Sequence, residues 1–433
     1  MLDWVWAFSA RPRTPGELAA QRAAKLERMR ALLAALGHPE HSFPSVLVAG
    51  TKGKGSTVAM ISAASSAARL RTGRYTSPHL VNWRERACVD GQPISTEAVL
   101  GLAGQIRKAV RALPPEVGAL TTFEVGTAFA LAYFAAEQVD LAVLEVGTGG
   151  RYDATNVVEP LVSAITPISY DHTATLGDSL DAIAWHKAGI LRAGRPAVAA
   201  PQPEQARRVV EREAGLVGAH LEQVGREWRW SAWGDAIRVE STHPDFRPLT
   251  TSVGLLGAHQ RDNATTAVAA LYALRPRFAI PAGAMRHGLS TVEWPGRLQV
   301  LARRPLLVLD GAHNAASADA LRSAILSEFQ FSRMILVLGI SEGKDARGVV
   351  RALAPLAQAV YLTSSQHERA AAPAELEPLV RSVAGEASIA IRPDASTALD
   401  AALAAAAPAD LVLVTGSLFL VGEALVWWRR SPR

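Results

Sequence analysis

The sequence predicts an α/β fold in two domains: a P-loop domain with a doubly wound, mostly parallel sheet and a small antiparallel flap, then a smaller Rossmann-like C-terminal domain. At 433 residues the chain is longer than one typical hydrophobic core. Short apolar, β-branched runs alternate with helical patterns along most of it, as in parallel sheets. A glycine-rich loop follows the first such run. We place the domains at residues 1–295 and 296–433.

The glycine-rich loop reads V-L-V-A-G-T-K-G-K-G-S-T over Val46–Thr57. Its glycines allow consecutive N–H groups to point at one anion, while Lys54 and a helix predicted to begin near Ser56 add positive charge. The strict Walker pattern would have Gly where Val48 stands and would not place Gly55 between the lysine and the hydroxyls. We therefore predict a nucleotide-phosphate loop of an unusual subtype.

Composition restricts the function classes. The net charge is +5, yet the arginines are scattered without a dense basic run, which favours an enzyme of anionic small molecules over a nucleic-acid binder. Cys88 is the one cysteine, so the sequence predicts a reducing compartment rather than a disulfide framework. The first ten residues lack the basic region of a signal peptide, and no apolar run could span a membrane. We expect a cytoplasmic monomer, and we interpret Lys25 and Lys108 as surface residues.

In the first domain, apolar residues at helical spacing predict helices near residues 16–36, 58–70, 97–112, 123–138 and 263–274. A short strand before T-S-P-H-L and buried runs at residues 140–146, 161–168 and 197–200 predict parallel strands. Alternation around the Gly234-Asp235 turn predicts the flap as a hairpin at residues 226–242, with tryptophans that serve packing.

Pro295 and Gly296, within W-P-G-R, predict a hinge between the domains. Beyond it, apolar runs at residues 305–310, 334–340, 359–363 and 411–415 predict the strands of the second sheet.

Polar residues follow several predicted strands, where the ligand sites of doubly wound sheets lie. Glu145 ends a buried strand and could hold Mg²⁺ carried in by a nucleotide, or could serve as a cap. His172 follows the next strand and by chemistry alone would be structural, since Mg²⁺ prefers oxygen ligands. Lys187 could form a salt bridge, and Ser77 could be a turn hydroxyl.

Seven motifs occur in order: the phosphate loop, T-S-P-H-L, L-E-V-G-T-G-G-R-Y-D-A-T-N, D-H-T, H-K-A-G-I, W-P-G-R and D-G-A-H-N. Together they resemble the folylpolyglutamate synthase and dihydrofolate synthase group of the Mur-type ligases, over nearly the whole chain. The run from Leu144 to Asn156 is the most specific of them.

The resemblance implies a role for each matching residue. Thr51, Lys52, Gly53, Lys54, Gly55 and Ser56 would cradle the ATP phosphates. Ser77, Glu145 and His172 would bind Mg²⁺, and Lys187 would carry a carbamate that binds a second Mg²⁺. Lys54, His172 and Lys187 are thus the expected catalytic residues. Asn263, Arg297, Asp310 and His313 would contact ATP, and Thr122 and Phe123 would line a pterin pocket. Lys52 departs from the family, which usually has Asn there.

The implied reaction makes an acyl phosphate from ATP and a folate or dihydropteroate carboxylate, which the amine of L-glutamate then attacks. Closure of the two domains would exclude water from this intermediate. The expected partners are therefore ATP with Mg²⁺, L-glutamate and a folate or dihydropteroate. The sequence does not separate a synthase of one acceptor from a bifunctional enzyme, although we favour the latter.

Three alternatives remain. A Mur ligase of cell-wall peptides would share the ATP site, but the G-K-G-S loop and T-S-P-H-L favour the folate branch. A P-loop switch or motor would use the acid after the strand as a Walker B residue and would leave Lys187 unexplained. A dinucleotide oxidoreductase would use G-T-G-G, yet no helix follows it at once.

Overall fold

The fold was analysed in a computed structural model, which describes residues 15–430 and the side chains of residues 24–430. The N-terminal stretch for which no signal peptide is predicted lies outside the described residues. The chain forms two compact units. One contains residues up to His79 together with Arg84–Gly254 and His259–Val292, and the other contains Leu80–Trp83, Leu255–Ala258 and the chain from Glu293 onward. The domain boundary that the sequence predicts between residues 295 and 296 stays a prediction.

The first unit is built on an eight-stranded sheet in the order β4-β3-β2-β5-β1-β6-β7-β8. Its strands are β1 (Ser45–Ala49), β2 (Thr72–Tyr75), β3 (Ala87–Val89), β4 (Gln92–Pro93), β5 (Leu141–Glu145), β6 (Val162–Ile165), β7 (Pro196–Ala199) and β8 (His220–Gln223). Strands β2, β5, β1, β6, β7 and β8 are parallel, and β3 and β4 extend one edge antiparallel. The predicted doubly wound, mostly parallel sheet is confirmed.

The helices of this unit follow the alternation that the sequence predicted. They are α1 (Pro15–Ala35), α2 (Lys54–Ala67), α3 (Thr96–Ala112), α4 (Thr122–Ala136), α5 (Thr173–Leu176), α6 (Leu180–Ala188), α7 (Glu204–Val217), α8 (His259–Ala273) and α9 (Ala282–Thr291). Helix α2 begins at Lys54, two residues before the predicted start at Ser56. Lys54 therefore stands on the first turn of the helix rather than in the loop before it.

The predicted flap is a separate three-stranded antiparallel sheet of β9 (Trp228–Trp233), β10 (Ala236–Ser241) and β11 (Leu249–Thr251). Gly234 and Asp235 form the two-residue connection between β9 and β10, as predicted. Trp228 is fully buried and packs edge-on against Phe246, with ring centroids 4.8 Å apart. The packing role expected of the flap tryptophans is confirmed for Trp228, whereas Trp233 is largely exposed.

The second unit contains a six-stranded sheet in the order β12-β13-β17-β14-β15-β16. Its strands are β12 (Gln299–Arg303), β13 (Leu306–Leu309), β14 (Met334–Leu338), β15 (Ala357–Leu362), β16 (Ser388–Ile391) and β17 (Leu411–Thr415). Its helices are α10 (Ala315–Glu328), α11 (Ala346–Leu353), α12 (Pro373–Arg381), α13 (Ala395–Ala405) and α14 (Leu418–Arg430). Alternate side chains of the central strands enter apolar cores on opposite faces of the sheet, as in other α/β domains.

Strands β3, β4, β8, β11, β12 and β16 were not predicted from the sequence. They are two to five residues long and most lie at sheet edges, where partial exposure removes the continuous apolar run that marks a central strand. Among residues 15–430, no helix is both long enough and apolar enough to cross a membrane.

Candidate active site

The phosphate loop lies where the fold predicts, between the end of β1 and the start of α2. Gly53 is the N-terminal cap of α2, with a left-handed backbone (φ 83°), and it provides no side-chain cap. The N–H groups of the first helical turn have no partners within a helix, so this end can bind an anion. An added Cβ at Gly53 would also collide with the Asn263 carboxamide. Glycine is therefore favoured here both by the left-handed backbone and by the close approach of Asn263.

The loop is held by the chain that follows β6. The backbone N–H groups of Thr51 and Lys52 donate to the Pro167 carbonyl at 3.0 and 3.2 Å. The Thr51 hydroxyl donates to the Ser169 carbonyl at 3.0 Å and accepts from the Ser169 N–H at 3.1 Å. These bonds place the loop that carries His172 beside the phosphate loop.

Helix α8 supports the opposite side of the phosphate loop. The Asn263 carboxamide donates to Gln260 Oε1 at 2.9 Å, and the Gln260 carboxamide donates to Ser56 Oγ at 3.4 Å. Both α8 side chains are buried. Asn263, predicted to contact nucleotide, therefore lies against Gly53. Gln260, three residues earlier on α8, is a supporting residue that the sequence analysis did not identify.

Glu145 links two other predicted residues. Its Oε2 accepts the Ser77 N–H at 3.1 Å, and its Oε1 lies 4.0 Å from Lys54 Nζ. Lys54 Nζ also donates to the Thr51 carbonyl at 3.3 Å. The fold thus brings Ser77, Glu145 and Lys54 together from the ends of β2 and β5 and from the start of α2, because parallel neighbours end at the same edge.

Lys187 is buried, with 4% of its surface exposed, and its Nζ donates to the Gly50 carbonyl at 2.6 Å. Burial, reinforced by the nearby charge of Lys54, lowers the Lys187 pKa from 10.5 to about 7. A substantial fraction of the amine is then neutral near neutral pH, which is the form that reacts with carbon dioxide. Among the residues whose side chains are described, Lys187 forms no salt bridge, and its partner is the Gly50 carbonyl.

Oxygen donors suited to Mg²⁺ occur on α2 and at the ends of β2 and β5. The hydroxyl of Thr57, in the first turn of α2, is buried without a hydrogen-bond partner among the residues described. Hydroxyl and carboxylate oxygens, as at Thr57, Ser77 and Glu145, are the donor types that Mg²⁺ prefers. The residues present therefore suit a nucleotide-bound Mg²⁺, whereas the Lys187 ammonium would suit one only after carbamylation.

His172 caps the four-residue helix α5 with a left-handed backbone (φ 50°). Its side chain is half exposed, and its Nε2 lies 3.9 Å from Asp171. The structure places it on the loop tied to Thr51, and its assignment as a metal ligand rests on the family resemblance.

An aromatic pair borders the predicted acceptor pocket. Phe123 is half-buried at the start of α4, next to Thr122, and its ring centroid lies 6.1 Å from that of Tyr75. An added Cβ at Gly147 would lie 2.5 Å from Phe123 Cζ, so the ring packs directly on the backbone that follows β5. The Phe123 ring and the glycine-rich run after Glu145 thus form one surface.

Three residues near this surface received no role from the sequence. Arg86 Nε donates to His79 Nδ1 at 3.0 Å, and the Arg86 charge acts on the Tyr75 phenol. Burial, with Arg86 as a second cause, lowers the His79 pKa to about 4, and burial raises the pKa of Tyr75 to about 12. His79 therefore stays neutral and Tyr75 stays protonated through the physiological range. No sequence pattern indicated that these residues and Arg86 lie together.

The second unit holds the remaining predicted residues. Asp310 Oδ2 accepts the Leu298 N–H at 2.8 Å, which fixes the residue after Arg297 beside the end of β13. His313 Nδ1 lies 2.8 Å from the Gly311 carbonyl. The N-terminal cap of α10 is Asn314, so Asp310 does not cap this helix.

His38, Glu40 and His41 form a group of metal-type donors within 4.8 Å of one another, the one such group that the described part of the chain contains. The two imidazole rings are stacked and nearly parallel, 5.1 Å apart at an angle of 5°. Lone pairs in parallel, stacked ring planes do not converge on one ion. We interpret this group as a hydrogen-bonded turn, in which Glu40 Oε1 lies 3.0 Å from His38 Nδ1.

Two family models match the chain. The Mur ligase middle domain matches residues 48–271, and the Mur ligase glutamate ligase domain matches residues 296–418.

Curated relatives point to one branch of these ligases. The dihydrofolate synthase/folylpolyglutamate synthase of Bacillus subtilis is 37% identical over 80% of this chain and 82% of its own length. The probable bifunctional folylpolyglutamate synthase/dihydropteroate synthase of Haloferax volcanii is 38% identical over 94% of this chain. This chain spans only 48% of that longer relative.

Solved structures agree with the fold. Escherichia coli FolC in complex with DHPP and ADP superposes with a TM-score of 0.84 at 31% identity, covering 98% of this chain and 100% of that one. A bifunctional folylpolyglutamate synthase/dihydrofolate synthase with Mn, AMPPNP and L-glutamate bound has a TM-score of 0.81 at 32% identity, covering 93% of each chain. The chain therefore belongs to the Mur ligases, in the family of folylpolyglutamate synthases and dihydrofolate synthases.

Proposed function

We propose that this chain is an ATP-dependent ligase that joins a carboxylate of a folate, or of dihydropteroate, to the amine of L-glutamate. The observation that carries the proposal is the arrangement of Lys54, Ser77 and Glu145 at the start of α2, with Lys187 buried against the same loop. A cation, a carboxylate and a helix N-terminus at one point suit the transfer of a phosphoryl group. The substrates come from the relatives named above.

In the proposed reaction, the acceptor carboxylate takes the γ-phosphoryl group of ATP, and the amine of glutamate then displaces phosphate from the acyl phosphate. Residues 51–56 cradle the phosphates, with the backbone N–H groups at the start of α2 as donors, and Lys54 stabilises charge on the transferring group. We also assign nucleotide contacts to Asn263, Arg297, Asp310 and His313.

Ser77, Glu145 and His172 would hold Mg²⁺, and Lys187 would join a second ion once carbamylated. When bound, Mg²⁺ neutralises phosphate charge and orients the phosphoryl group. Burial of Lys187 serves this role, because it leaves a substantial fraction of the amine neutral near pH 7. Thr122 and Phe123 would line the pocket for the heteroaromatic end of the acceptor.

We propose both ligations, since they need the same ATP site and the same donor and differ only in the acceptor. The test is ADP release by the purified chain with ATP, Mg²⁺ and L-glutamate, with dihydropteroate or a reduced folate as acceptor. ADP release should require both acceptor and glutamate, and the product should gain the mass of one glutamate residue. ATP hydrolysis independent of both would favour the P-loop switch, and activity only with a cell-wall peptide acceptor would favour the other Mur branch.

A further inference from the structure

Lys25 is not the surface lysine that the sequence predicted. Its side chain on α1 is 21% exposed, while Lys108 on α3 is exposed as expected. Lys25 Nζ lies 3.6 Å from Asp153 Oδ2 and 5.3 Å from the centroid of the Phe123 ring. The ammonium therefore stands between a carboxylate and the aromatic residue assigned to the acceptor pocket.

Asp153 is held in place independently of Lys25. It is fully buried, and its two oxygens accept the Thr148 N–H at 3.0 Å and both the N–H and the hydroxyl of Thr155 at 3.1 and 2.8 Å. Three donors already satisfy this carboxylate, so the ion pair with Lys25 is not needed to complete its hydrogen bonding. The pair instead anchors the ammonium at a fixed point beside the glycine-rich run.

The position of the ammonium relative to Phe123 has a chemical consequence. A cation 5.3 Å from a ring centroid is within the range of a cation–π contact, which helps to hold it while part of the side chain stays accessible. A flat heteroaromatic ring that packs on Phe123 would bring its edge toward this ammonium. An ammonium has three N–H donors, and the ion pair with Asp153 occupies one of them. The other N–H groups can donate to an acceptor molecule.

We propose that Lys25 is an acceptor-binding residue, which donates a hydrogen bond to an oxo group or ring nitrogen at the heteroaromatic end of the acceptor. The proposal rests on the proposed function and deepens it by assigning a specificity contact. The alternative is a purely structural ion pair that fastens α1 to the chain around Asp153.

The test compares Lys25→Met, which keeps the aliphatic stem and removes the donors, with Lys108→Met as the matched control. KM is measured for each acceptor, for ATP and for L-glutamate. Dihydropteroate binding without ATP is followed by fluorescence titration, and unfolding midpoints are recorded. Loss of a hydrogen bond from a charged donor should raise the acceptor KM and Kd about tenfold or more in Lys25→Met. KM for ATP and L-glutamate should change less than about twofold, and the control should match the wild type.

Unchanged acceptor KM and Kd in Lys25→Met would overturn the assignment. So would a parallel rise in all three KM values with a lower unfolding midpoint, since that is the result of a structural ion pair. The proposed function fails separately, if the wild-type chain neither binds nor ligates either acceptor.

Discussion

Replacement of Lys187 by methionine should stabilise the protein while it abolishes ligation. The methionine side chain is unbranched and of similar length to that of lysine, so it can fill the space around position 187 without introducing a charge. Lys187 has a pKa of about 7 in the folded chain, against 10.5 for an ordinary lysine. Between pH 7 and 10.5 the unfolded chain binds more protons at Lys187 than the folded chain, so the free energy of unfolding of the wild type rises with pH across this window. Below pH 7 the folded chain bears the full free-energy cost of burying the Lys187 charge.

The magnitude follows from the two pKa values. A difference from 10.5 to about 7 corresponds to about 5 kcal/mol at pH 6. The substitution also removes the 2.6 Å bond to the Gly50 carbonyl, which costs about 1–3 kcal/mol. Lys187→Met should therefore be more stable than the wild type by about 2–4 kcal/mol at pH 6. Near pH 10 only about 1 kcal/mol of the penalty remains while the cost of the lost bond is unchanged, so the variant should then be between equal to and about 2 kcal/mol less stable than the wild type.

The assay is urea unfolding at pH 6, 8 and 10, in EDTA and carbon dioxide-free buffer so that the amine carries neither metal nor carbamate. Lys108→Met, an exposed lysine on α3, is the control and should show no pH-dependent difference. A Lys187→Met protein that is less stable than the wild type at pH 6, or a difference that does not change with pH, would refute the reasoning.

Three further predictions concern the proposed reaction. Lys54→Ala should lose about two to four orders of magnitude in kcat, because an electrostatic stabiliser of the transferring phosphoryl group is removed, and near-normal glutamate ligation would contradict this assignment. Lys187→Arg should be inactive because arginine cannot form the carbamate, while native mass spectrometry of the wild type should detect one added carbon dioxide; an active variant would exclude the carbamate. Gly147→Ala should raise the acceptor KM and leave the KM for ATP unchanged, since the new Cβ displaces the Phe123 ring; equal acceptor KM values would show that the ring does not contact the acceptor.

Local patterns were enough to predict much of this site. The apolar run before the phosphate loop and the glycines within it lie within a few residues of one another, and Glu145 directly ends an apolar run of its own. The alternation of apolar strand runs with helical patterns predicts a parallel sheet. The carboxyl ends of parallel strands lie at one edge of such a sheet. For this reason the proximity of Glu145 to the phosphate loop followed from the sequence.

Tertiary structure alone decided which distant side chains meet. Lys25 contacts Asp153 and Phe123 from the first helix, and Gln260 contacts Ser56 from α8. Helical periodicity marks which positions face a core but not which residue of another element lies opposite, because that depends on how the whole chain packs. Lys25 therefore looked like a solvated residue in the sequence, and the packing of α1 against the chain after β5 placed its charge beside the predicted acceptor pocket.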